Sequence, residues 1–80
     1  MNPFPWTNRA TSASDYIRVN YSAVFGWCLQ ITENDVTEAE DLIQDAYVLL
    51  RNSTVSTAAL RNTEGYIYVI LRNLHRSRYE

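Results

Sequence analysis

Eighty residues leave room for one domain with one modest hydrophobic core. An apolar fraction of 46% with two glycines and two prolines excludes a disordered chain, and the single Cys28 excludes an internal disulfide framework. The net charge of -2 lacks the strongly basic signature of a simple nucleic-acid binder.

Residues 1–13 carry Pro3, Pro5, Asn8 and several Ser and Thr, and read as an irregular arm whose Phe4 and Trp6 can dock on the body. Residues 14–80 form the expected helical domain. A first helix is predicted over about 14–31, capped by Ser14 or Asp15. Its apolar stripe is Ile17, Tyr21, Val24, Cys28 and Ile31, at steps of three and four. Glu33-Asn34-Asp35 is a polar break. Thr37-Glu38-Ala39-Glu40 then has the form of a capping box, which predicts a second helix over about 38–52. Its expected buried stripe is Ala39, Leu42, Ile43, Ala46, Leu49 and Leu50. Asp41, Gln44, Asp45 and Val48 repeat at helical spacing on the opposite side.

Asn52 to Asn62 is rich in Ser, Thr and Asn and reads as a loop, with one helical turn near residues 57–60. Asn62 or Thr63 can cap a third helix over about 63–78. That helix buries Ile67, Ile70, Leu71 and Leu74, and turns Tyr68, Arg72, Asn73, His75, Arg76 and Tyr79 the other way. Three amphipathic helices with short connections imply an all-α, compact three-helix bundle.

The charge is unevenly spread. Glu33, Asp35, Glu38, Glu40, Asp41 and Asp45 make the middle acidic, whereas Arg51, Arg61, Arg72, Arg76 and Arg78 make the C-terminal third basic. One His, one Cys and scattered carboxylates form a poor catalytic kit, and carboxylates near a helix start serve as caps and solvated surface. No glycine-rich phosphate loop, nucleophile elbow or calcium loop is present. The expectation is no enzyme, no metal and no cofactor. No run is apolar enough for a membrane span, and Met-Asn-Pro-Phe-Pro-Trp lacks the layout of a signal peptide, so a soluble cytoplasmic chain is expected.

Two stretches carry a family resemblance: Thr37-Glu38-Ala39-Glu40-Asp41-Leu42-Ile43-Gln44-Asp45-Ala46-Tyr47 and Gly65-Tyr66-Ile67-Tyr68-Val69-Ile70-Leu71-Arg72-Asn73-Leu74. In this order and at this distance they resemble region 2 of the extracytoplasmic-function RNA polymerase sigma factors, of the sigma-70 family. The resemblance implies a fold of the sigma region 2 type and a role in bacterial transcription initiation. It places Glu38, Asp41, Gln44, Asp45 and Val48 against core RNA polymerase, at the clamp coiled coil of the largest catalytic subunit. It places the loop and last helix, with Arg61, Asn62, Tyr68, Arg72, Asn73, His75, Arg76 and Arg78, on the non-template strand of the promoter −10 element. Arginines there would hold phosphates, tyrosines would stack on bases and asparagines would read base edges.

Rival readings stand beside these. Tyr66 lies where the family has a buried Trp and reads as core; Tyr68 can pack or stack; Asn73 can bridge helices or touch a base. The sequence also departs from the family: Val69 replaces a usual basic residue, and residues 53–60 hold no aromatic and no charge, which weakens phosphate attraction. An alternative is therefore a sigma-like protein-interaction module, regulated by an anti-sigma factor and without promoter binding. No −35-binding helix-turn-helix fits in this length, and an end inside a basic helix suggests one domain of a longer chain.

Overall fold

The computed structural model describes residues 12–53 and 62–78. Most of the expected N-terminal arm with Phe4 and Trp6, the helical turn near residues 57–60, Arg61 and Tyr79 lie outside the described residues. Within them the chain is all-α, with four helices: α1 (Ala13–Val19), α2 (Tyr21–Ile31), α3 (Val36–Arg51) and α4 (Thr63–Arg78).

The expected first helix is two, because it bends at Asn20. Asparagine side chains compete with the helical ladder for local carbonyls. Here the Asn20 amide donates to the Tyr16 carbonyl at 3.1 Å, and the backbone leaves helical values at φ −113, ψ 37. The bend lets α1 and α2 each lay a side chain on α3. Ile17 and Val24 are buried, whereas Tyr21, expected on the same stripe, is carried outward and is 48% exposed. The cap also differs from expectation. Ser12 Oγ, rather than Ser14 or Asp15, accepts from the Asp15 backbone N–H at 3.1 Å, while Ser14 is buried.

Helix α2 closes through paired backbone bonds. The Asn34 N–H donates to the Leu29 carbonyl at 2.7 Å and the Glu33 N–H to the Gln30 carbonyl at 3.3 Å, the pattern of a Schellman turn. That turn puts Glu33 (φ 59) and Asn34 (φ 69) in the left-handed region without a glycine. The Thr32 hydroxyl, buried, donates to the Cys28 carbonyl at 2.8 Å. Asp35 follows as the cap of α3, its carboxylate accepting from the Glu38 N–H at 3.1 Å. The helix thus begins at Val36, before the expected capping box, and Thr37 lies exposed within its first turn.

Helix α3 is the centre of the fold and packs against α1, α2 and α4. Ala39, Leu42, Ile43, Ala46 and Leu50 are buried on it, as the pattern predicts; Leu49, expected with them, is 49% exposed. Ile67 and Leu71 of α4 complete the core, with Ile70, Leu74 and Tyr66 packed against it. Helix α4 starts at the Asn62 cap, whose side-chain oxygen accepts from the Gly65 N–H at 2.8 Å. A Cβ at Gly65 would stand 2.8 Å from the Asn62 amide nitrogen, so any other residue there would make the capping side chain shift. The Tyr16 hydroxyl ties α1 to the start of α4 by donating to Glu64 at 3.0 Å.

Candidate functional site

Burying one side of α3 leaves the other to solvent. Asp41, Gln44 and Val48, three and four residues apart, are exposed on one strip, and Val48 is an apolar residue left 57% exposed. Glu40 is exposed beside them. Between this strip and the α1–α2 bend runs a groove of about 250 Å³, lined by Ile17, Arg18 and Tyr21 on one side and Ile43, Gln44, Tyr47 and Val48 on the other. Its floor is buried isoleucine and its mouth is Tyr21 and Val48.

Two members of the expected docking set, Glu38 and Asp45, point toward α4. The Arg78 guanidinium, in the last turn of α4, donates to Glu38 Oε1 at 2.9 Å and also to the Asp45 carboxylate. These contacts join residues 40 and 33 positions apart in sequence. Burial works against the Arg78 charge, but the carboxylates of Asp45 and Glu38 outweigh it and raise the pKa of Arg78 above its ordinary value. Arg78 therefore belongs to the α3–α4 junction, although the resemblance groups it with nucleic-acid contacts.

The outer strip of α4 presents Arg72, Asn73 and Arg76, all exposed, with Val69 between the first two and the helix start. Three other expected contacts are engaged inside the domain. Asn62 caps its own helix, and Tyr68 is half-buried with its ring edge-on to Trp27 at a centroid distance of 6.2 Å. His75 is half-buried too. Asn73 is exposed rather than bridging helices within the bundle. The fold thus brings Asp41, Gln44 and Val48 together on α3, and Arg72, Asn73 and Arg76 together on α4.

Sequence reasoning missed the groove residues Ile17, Tyr21, Ile43 and Tyr47 as a surface feature. Periodicity assigned Ile17, Tyr21 and Ile43 to the core, and it carries no information on a cleft beside a helix bend. The only signal pointing there was Asn20 itself, a poor residue for a helix interior.

Among the described residues, no group of three or more His, Cys, Asp or Glu side chains could hold a metal ion. Burial pushes the Cys28 thiol up to about 11. Burial, together with the hydrogen bond to Glu64 and its charge, raises Tyr16 above its ordinary value. Cys28 lies in the core, whereas the Tyr16 hydroxyl bond to Glu64 lies at the surface. Among the described residues, no helix is long and apolar enough to cross a membrane. No family model matches the chain, and neither a curated protein nor a solved structure matches it.

Proposed function

We propose that this chain is a bacterial transcription initiation domain of the sigma region 2 type, which binds core RNA polymerase through the outer face of α3 and the promoter −10 strand through α4. The observation that carries the reading is the exposed Asp41, Gln44 and Val48 strip. It coincides with the stretch that resembles the polymerase-binding helix of the extracytoplasmic-function sigma factors. A polar, acidic strip with one apolar residue suits a basic partner helix. Arg72, Arg76 and Asn73 support the DNA half: two guanidiniums to position phosphates and one amide to reach a base edge.

One observation favours a second reading, a sigma-like interaction module held by an anti-sigma factor and lacking promoter binding. Arg78, Asn62 and Tyr68 are occupied within the domain, which leaves the DNA half with few free contacts.

A titration with the polymerase clamp coiled coil, followed by single-stranded −10 DNA, tests both. Coiled-coil binding should be abolished by Asp41→Arg combined with Gln44→Ala; binding that survives this pair refutes docking through α3. DNA binding should weaken with salt, and Arg72→Ala and Arg76→Ala should each reduce the salt slope by about one. A coiled coil that binds while no oligonucleotide does, even at low salt, selects the interaction module.

A further inference from the structure

We infer that Arg78 is a built-in competitor of the docking partner: it holds Glu38 and Asp45 in the place of a partner cation, and a basic helix that docks on α3 exchanges it. This rests on the docking face proposed above and adds an autoinhibitory contact that sets its affinity.

Glu38, Asp41 and Asp45 follow one another at steps of three and four on α3, so the three carboxylates share one side of the helix. Like charges one turn apart repel, and a cation among them relieves the repulsion. The chain supplies one from the far end of α4. Arg78 donates to Glu38 Oε1 at 2.9 Å and also to the Asp45 carboxylate. Asp41 is exposed and in no ion pair with another described residue. A basic helix drawn to Asp41 therefore arrives one turn from Asp45 and finds that carboxylate taken.

Exposure lets the exchange run without opening the core. The Asp45 side chain is 57% exposed against 24% for Arg78, so an incoming cation reaches Asp45 from solvent while Arg78 still holds Glu38. An intramolecular cation acts at a high effective concentration, so a lone Lys or Arg does not displace it. A helix that also engages Asp41, Gln44 and Val48 does. Arg78 thus handicaps every basic ligand alike, and only one that covers the rest of the strip overcomes it.

Isothermal titration with the polymerase clamp coiled coil tests this with Arg78→Met, which keeps the aliphatic stem. The Kd should fall about three- to five-fold, the range expected of a partly exposed ion-pair cluster. In a Glu38→Gln, Asp45→Asn background the same substitution should leave Kd within about 1.5-fold, because the contested carboxylates are gone. In the unaltered protein, saturation with the coiled coil should speed rotation of the Arg78 guanidinium, measured by NMR, a readout that needs no variant. Tightening below about two-fold, a weaker Kd, tightening that persists in the background, or a rotation that does not quicken overturns the competitor. Docking through α3 still stands in each case if Asp41→Arg with Gln44→Ala abolishes binding. A coiled coil that fails to bind the unaltered protein overturns both.

Discussion

Arg78 closes the bundle by holding two carboxylates of α3 from the end of α4, and a double-mutant cycle measures how much this contributes. Arg78→Met keeps most of the aliphatic stem and removes the charge, so lost packing is kept small. The side chains of Arg78 and Glu38 are 24% and 29% exposed, while that of Asp45 is 57% exposed. Exposed pairs contribute about 0.2–1 kcal/mol, with the upper end reserved for well-placed or networked charges. The Glu38 pair belongs near the upper end and the Asp45 pair near the lower, so the cluster should contribute about 1 kcal/mol. For a domain of this size that equals a fall in Tm of about 4–8 °C. Urea unfolding of Arg78→Met, Glu38→Gln, Asp45→Asn and the two double variants yields the coupling energies. The Arg78–Glu38 coupling should exceed the Arg78–Asp45 coupling, and both should shrink in 1 M salt, where screening acts over about 3 Å. A Glu38 coupling below about 0.2 kcal/mol, or a larger coupling to Asp45, refutes the assignment. Under the proposed DNA reading, Arg78→Met should weaken −10 strand binding less than Arg76→Met, because Arg78 is held by two carboxylates whereas Arg76 is exposed.

Three further perturbations probe the fold. Glu33→Gly should raise stability by about 0.5 kcal/mol in urea unfolding, since it removes a Cβ penalty of about 1–2 kcal/mol at a left-handed residue against a smaller entropic cost of about 0.5–1 kcal/mol; a lower midpoint contradicts the turn. Leu42→Ala should cost about 2–5 kcal/mol and Leu49→Ala less than about 1 kcal/mol, although both stood on the same predicted stripe, and equal costs would contradict the observed packing. Cys28 gives a pH test. Its folded pKa, about 11, lies above the free thiol value of about 8.5, so the folded chain keeps its proton longer. The resulting stability is fully present below the free value and is lost as pH rises from there toward 11. Tyr16 acts in the same direction above its own free value. Tm should therefore fall on the alkaline side, and Cys28→Ala should flatten the first part of that fall; an unchanged profile rejects the buried thiol as its source.

Much of the molecule is legible along the chain. The helical steps of Ala39, Leu42, Ile43 and Ala46 face the core, as do Ile67 and Leu71, because a 3.6-residue repeat needs only local geometry to form one face. The exposure of Asp41, Gln44 and Val48 follows from the same repeat, so this solvent-facing strip is legible along the chain. The Asn62 cap was visible too, since a short polar side chain ahead of an amphipathic run satisfies free N–H groups.

Other features depend on how helices meet, and the sequence carries at most a weak local sign of them. One helix became two because Asn20 takes the Tyr16 carbonyl while α1 and α2 each settle on α3. That bend moved Tyr21 from core to surface and opened the groove. Arg78 is paired within the domain because Glu38 and Asp45 come within reach only after α4 packs on α3. The sequence by itself determined which faces are buried and which are charged, through short-range periodicity. The tertiary structure alone decided which charges meet and where the surface is hollow, because both depend on how separate helices approach.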